Sequence, residues 1–206
     1  MIGILGDGKQ GKRYQEILYT LKHDFWVSTK PRFDCDNIII ATPVETHFSL
    51  CRRALDLGLN VLCEKPLVTD FTDAEYLLDL AKHRGVNAFV NHTHLYSKNW
   101  IDIKKRDLSS VKLGVFIAGG ETGFDPKWDW GAHGAALHAD LGLSCRYHQI
   151  IVPEKLKPRF VLFGDDTIVY EQGEDLPMVN VVTQFLNSKN DQSGFEIAVK
   201  VAELLM

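Results

Sequence analysis

In the first half of the chain, short apolar runs alternate with stretches in which apolar residues return every three or four positions. Ile2–Leu5, Phe25–Val27, Asn37–Ala41, Asn60–Cys63 and Val86–Val90 have the length and composition of strands. Between them, three segments carry helical spacing. One runs from about Gln10 to His23, and one carries Phe48, Cys51, Ala54 and Leu55 and stops at Gly58 as its C′ residue. The third opens on the capping box Thr72-Asp73-Ala74-Glu75 and ends before Gly85. Strand and helix in alternation predict a parallel sheet covered by helices. Ile38-Ile39-Ile40 is apolar on both faces, so that strand should be fully buried, and Thr42-Pro43 stops it.

Beyond Trp100 the pattern changes. Val111–Ile117, Arg159–Phe163 and Thr167–Tyr170 read as strands, the last two joined as a hairpin by Gly164-Asp165-Asp166. Met178–Leu186 and Phe195–Leu205 read as amphipathic helices separated by a polar loop. A small sheet with a bare apolar face tends to find a partner, so a homodimer or higher homo-oligomer through it is expected.

The first chemical signal is Gly6-Asp7-Gly8-Lys9-Gln10-Gly11, which follows a strand and opens a helix. Gly6 permits the tight turn, Gly8 lets a diphosphate approach the backbone, and Gly11 allows helix and strand to pack closely. Phosphate oxygens then meet free N–H groups at the helix N-terminus, Lys9 and Gln10 among the loop residues. In such a fold the second strand ends at the adenosine ribose, where an acid would bind the 2′-hydroxyl of NAD. Here Ser28, Thr29, Lys30 and Arg32 stand instead, a donor set suited to a 2′-phosphate, which favours NADP over NAD. Between Lys30 and Asn37 lie six residues, too few for a helical crossover, which needs about a dozen, so the sheet should be truncated at its adenine-side edge.

Composition narrows the partners. The chain has 206 residues, 45% hydrophobic and 24% charged, with a net charge of −4. It offers no basic field for nucleic acid and no apolar run of the roughly 18 residues that a membrane helix needs. The N-terminus enters a strand directly, so a cytoplasmic location is expected. Cys35, Cys51, Cys63 and Cys145 lack paired metal or disulfide spacing and should be reduced thiols. His92 and His94 alternate along the chain, but two histidines without a third ligand do not predict a metal site.

With the glycine loop, Ile40-Ala41-Thr42-Pro43-Val44-Glu45-Thr46-His47 and Cys63-Glu64-Lys65-Pro66 in this order, the chain resembles the glucose-fructose oxidoreductase / inositol dehydrogenase (Gfo/Idh/MocA) family. The resemblance covers nearly the whole first half. It implies an α/β fold: a Rossmann dinucleotide-binding domain, here truncated, over residues 1–97, then a small α+β domain with an open mixed or antiparallel sheet over 98–206. It also implies that Lys65 hydrogen-bonds a substrate hydroxyl and that Thr42, Pro43, His47 and the Glu64–Lys65 turn border the cofactor. Asp129-Trp130-Gly131-Ala132-His133 looks like the segment supplying the other two catalytic groups. On a helix Asp129 and His133 would share a face, and a histidine is a natural proton acceptor at neutral pH. The expected activity is hydride transfer between NAD(P) and the hydroxyl or carbonyl of a sugar, nucleotide sugar or cyclic polyol.

The pattern is broken at Ala136, where the family has an aspartate, leaving His138 and Asp140 as the nearest polar replacements. Two alternatives follow from the same fold: a biliverdin-type reductase, and a non-catalytic dinucleotide-binding regulator or scaffold, which the missing aspartate and the trimmed sheet favour. Trp128, Trp130, Tyr96 and Phe124 could stack on a ligand or fill a core.

Overall fold

The computed structural model describes residues 1–122, 124–173 and 177–206. The first half builds β1 (Ile2–Leu5), α1 (Lys9–Thr20), β2 (Phe25–Ser28), β3 (Asn37–Ile40), α2 (His47–Asp56), β4 (Asn60–Cys63), α3 (Phe71–Arg84) and β5 (Ala88–Val90). Its strands pair in parallel in the order β2-β1-β3-β4-β5. Ile38, Ile39 and Ile40 are fully buried, as their apolar run demands.

Two helix ends differ from expectation. The α3 cap is Asp70, whose carboxylate accepts from the Asp73 N–H at 3.1 Å, so Thr72 lies inside the helix. Helix α1 stops at Thr20 because Lys22 turns left-handed (φ 59°) and the His23 N–H reaches back to the Leu18 carbonyl at 3.0 Å. A Schellman-type ending normally announces itself by glycine, and here it does not.

As the short connection requires, no helix links β2 to β3. Trp26 covers the position where a Cβ on Gly3 would stand, and Phe33 and Cys35 join it against the main core cluster. The Arg32 guanidinium lies 4.5 Å from the Trp26 ring and forks onto the Asp34 carboxylate at 2.5 and 2.7 Å. These side chains close the face that a crossover helix would otherwise cover.

The second half continues with α4 (Lys98–Lys104), β6 (Leu113–Gly119), α5 (Pro126–Asp129), α6 (Gly131–Leu141), β7 (Arg146–Val152), β8 (Leu156–Phe163), β9 (Thr167–Glu171), α7 (Pro177–Asn187) and α8 (Ser193–Leu205). The sheet order is β7-β6-β8-β9, with β7 parallel to β6 and the other pairs antiparallel, so the sheet is mixed and the expected hairpin is present. One face packs Phe116, Phe160, Leu162, Ile168 and Tyr170 with Trp100 and Leu137. On the opposite face Val115, Val161 and Val169 align in register, and Val169 is 51% exposed, Ile150 49% and Phe163 41%.

The closing helices turn back onto the first sheet. Val181, Val182 and Phe185 of α7 join the α1-side core, while Phe195, Ala198 and Val201 of α8 join the core under α2 and α3. Gly194 sits so close to β5 that a Cβ there would meet the Phe89 Cα at 2.7 Å. Asn87 fastens this arrangement: it donates to the carbonyls of Phe185 and Ser188 at 3.1 and 2.7 Å and accepts from the Asp191 N–H at 3.1 Å. Asn87→Leu should therefore lower the unfolding free energy by about 2–4 kcal/mol, since buried backbone groups lose their partners. Urea denaturation is the check, and an unchanged midpoint would remove Asn87 from this role.

Candidate active site

The glycine loop has the form its sequence requires. Gly6 takes φ +106° with the Ala41 carbonyl where its Cβ would be, and a Cβ on Gly11 would strike the Gly6 carbonyl. Around Gly8, by contrast, nothing lies within 4 Å of the Cβ position, and no side chain caps α1. The backbone there is open to an anion, and the uncapped N–H groups and the helix dipole favour one.

Behind the loop, buried Glu64 accepts from the Tyr14 hydroxyl and from Asn91 Nδ2, both at 2.7 Å. The Glu64 carboxylate and burial together hold the Tyr14 phenol well above its ordinary pKa, burial being the larger cause. This network ties α1 to the ends of β4 and β5 and so fixes the Glu64-Lys65-Pro66 turn, whose Lys65–Pro66 peptide is cis. His47 clamps the same turn from the other side, its ring nitrogens 2.9 Å from the carbonyls of Pro66 and Thr42.

Lys65 reaches across to the second unit. Its ammonium donates to Asp129 Oδ1 at 2.6 Å and to the Asp129 carbonyl at 2.8 Å, with the lysine side chain only 13% exposed. Asp129 ends α5, Trp130 carries the helical turn on, and His133 lies in α6. Lys65, Asp129 and His133 all line one cleft of about 830 Å³, which extends along α1 past Lys9, Gln10 and Arg13. A second cavity of about 320 Å³ joins it at Gln10, Glu64, Lys65 and Asp129 and is bordered by Thr42, Pro43 and His47.

Three imidazoles feel the charge of the ammonium. Burial, then the Lys65 charge, pushes His92 down to about 3 and His94 to about 4. His133 is driven well below its ordinary value by burial first, then by Lys65, His94 and His92. All three are therefore neutral at pH 7, and a neutral imidazole can accept a proton.

Other sequence-predicted residues go elsewhere. The Ser28 hydroxyl donates to the Lys30 carbonyl at 2.7 Å and accepts from the Lys30 N–H at 3.1 Å, and Arg32 is committed to Asp34 and Trp26. Thr29 and Lys30 are exposed and line neither cavity. Asp140 is held by Trp100 and Lys104, and His138 packs against Tyr147, so neither replaces the aspartate missing at Ala136. Of the four aromatics, Trp130 and Phe124 face the cavities, while Trp128 and Tyr96 pack in the cores. Tyr14 and Tyr170 carry no local sequence signal of their roles because their partners are remote: 50 and 76 positions away.

Residues 2–92 match the family model described as "Oxidoreductase family, NAD-binding Rossmann fold". The chain is 35% identical over 137 residues to the uncharacterized oxidoreductase YdgJ of Escherichia coli K12, covering 63% of this chain and 36% of that protein. Against the dTDP-3,4-didehydro-2,6-dideoxy-alpha-D-glucose 3-reductase of Streptomyces violaceoruber it is 36% identical over 73 residues, 35% of this chain and 21% of the relative. The chain thus spans less than half the length of these curated relatives. Among solved structures, WlbA (WbpB) dehydrogenase from Thermus thermophilus, in complex with NAD and UDP-GlcNAcA, superposes with a TM-score of 0.78 at 16% identity over 99% of this chain and 92% of that one. A Magnetospirillum magnetotacticum MS-1 protein with a provisional oxidoreductase assignment gives 0.84 at 21% identity over 99% and 97%. At such identities the superpositions establish the fold: a Rossmann-like parallel sheet followed by a mixed sheet. Glycine loop, Thr42-Pro43 and Glu64-Lys65-Pro66 all fall inside the matched residues, and that part of the chain is similar to the NAD-binding domain of Gfo/Idh/MocA oxidoreductases.

Proposed function

We propose that the chain is a nicotinamide-dinucleotide-dependent oxidoreductase acting on a secondary hydroxyl, or the corresponding carbonyl, of a sugar, nucleotide sugar or cyclic polyol. The observation that carries this reading is the convergence of Lys65, Asp129 and His133 on one cleft beside the open glycine loop. The residues fit a dinucleotide: the space at Gly8 and the uncapped α1 suit its diphosphate, and the cavity at Thr42 and Pro43 suits one of its rings. Such a cofactor, when bound, accepts or supplies the hydride. His133 takes the hydroxyl proton in the oxidative direction and returns it in reduction. Lys65, pinned by Asp129, donates a hydrogen bond to the reacting oxygen and stabilises negative charge there. The test is a panel of sugars, nucleotide sugars and polyols assayed with NAD and NADP at 340 nm; no substrate-dependent signal across it would defeat the proposal.

For the cofactor we place NAD first, against the preference drawn from the sequence. Ser28 and Arg32, half of the donor set expected to meet a 2′-phosphate, are engaged within their own turn. Isothermal titration should give NAD the tighter binding by roughly fivefold or more, about 1 kcal/mol. Arg32→Ala should leave the ratio unchanged. Tighter NADP binding, lost in that variant, would restore the original assignment.

The partner we propose is a second copy of this chain, docked on the uncovered face of the mixed sheet around Val115, Val161 and Val169. Light scattering at micromolar concentration should report a dimer or larger, and Val169→Lys should halve the mass. A monomeric wild-type chain would refute it. Among the described residues no helix is long and apolar enough to cross a membrane.

A further inference from the structure

His133 lacks the support that a histidine base ordinarily has. Its Nδ1 is buried and, among the described residues, has no hydrogen-bond partner, so no carboxylate or carbonyl selects the tautomer. A base working through Nε2 needs the proton on Nδ1, and the tautomer is normally set by whatever Nδ1 donates to. What packs against the ring is a second imidazole: the His94 and His133 centroids are 4.7 Å apart with planes at 84°, an edge-to-face contact.

His94 is in turn held from behind. Its Nδ1 is 3.0 Å from the Tyr170 hydroxyl, which is 2.9 Å from Ser97 Oγ, and all three residues are buried. Ser97 is itself fixed as the cap of α4, accepting from the Trp100 N–H at 3.3 Å. A chain of contacts therefore runs from a helix cap through the edge strand β9 to the ring that touches His133.

We propose that His94 is the orienting partner of His133, offering the aromatic surface on which the His133 Nδ1–H is seated, and that Tyr170 locks His94 in this attitude. An N–H directed at a ring face is a weak bond, but here it competes only with leaving a buried donor unpaired. Its effect is to leave the Nε2 lone pair free toward the cleft. Tyr170 and His94 act through His133 and are positioning residues. Their importance for turnover rests on the oxidoreductase reading above, whereas the tautomer itself does not.

The test is nitrogen NMR on the full-length chain with 15N-labelled histidine at pH 7. Wild type and His94→Phe, which keeps a ring face, should show His133 protonated on Nδ1. His94→Leu and the milder Tyr170→Phe, which loses a single oxygen, should move His133 toward the Nε2–H form. Wild-type His133 already in the Nε2–H form, or nitrogen shifts unchanged in both His94→Leu and Tyr170→Phe, would overturn the proposal. With a substrate in hand, kcat should fall about tenfold in His94→Leu and recover in His94→Phe, with the dinucleotide KM unchanged. A changed tautomer in a chain that turns over nothing would sink the enzymatic reading and leave the orientation standing.

Discussion

Lys65→Met should cut kcat at least about a hundredfold while leaving dinucleotide affinity within a few-fold of wild type. Only one polar head is removed, and it lies at the cleft, where it holds Asp129 through two bonds of 2.6 and 2.8 Å. The rate loss expected for a positioned donor or acid is about 10²–10⁴-fold. The same substitution has a second signature. Lys65 is the next cause after burial in depressing His92, His94 and His133, so all three imidazoles should titrate at higher pH in the variant. Steady-state rates and histidine NMR on one sample read both effects. Retained turnover would strip Lys65 of its role, and unmoved histidines would show that its charge is neutralised before reaching them.

Acid should unfold this protein well before its carboxylates are all protonated. His92 and His94 have folded-state values of about 3 and about 4, against roughly 6.5 in an unfolded chain. Between those limits the unfolded state binds protons that the folded state refuses, so stability is intact above about pH 6.5 and declines as pH falls toward 4. By pH 5 each histidine costs on the order of 2 kcal/mol, and the pair a substantial part of a typical 5–15 kcal/mol total. His92 is the sharper probe, being buried with both ring nitrogens unpaired among the described residues. Urea unfolding at pH 7 and pH 5 should show a smaller drop for His92→Leu than for wild type. Equal drops would place the acid sensitivity elsewhere.

What the sequence made legible was local. The glycine loop, the Ile38–Ile40 run and the Gly164-Asp165-Asp166 hairpin each carry their whole signal within a few residues, and each stands as read. Strand β7 was missed: Arg146-Tyr147-His148-Gln149 alternates polar side chains with half-buried ones and offers no apolar period. Helix α4 was missed because its cap, Ser97, and its buried Trp100 and Ile103 span barely two turns. At the site, Lys65 and the Asp129–His133 segment could be found by motif. Tyr170 could not: its contact with His94 joins residues 76 positions apart, and nothing near it in the chain marks a hydroxyl aimed at an imidazole. Arg32 and Ser28 misled for the converse reason. Their residue types suit a phosphate, but Asp34 and the Lys30 backbone lie two positions away and engage them first.

The fastening of β5 by Asn87 bears on how the molecule assembles. Its bonds to Phe185, Ser188 and Asp191 close loops of 98, 101 and 104 residues. Strand β5 is thus sealed only when residues 185–191 arrive. Long loop closures of this kind slow folding, because their entropy is lost before the contacts form. During synthesis on the ribosome the first sheet would wait, edge uncovered, until residues 185–191 had emerged. An excised fragment ending at residue 97 would remain in that unfinished condition.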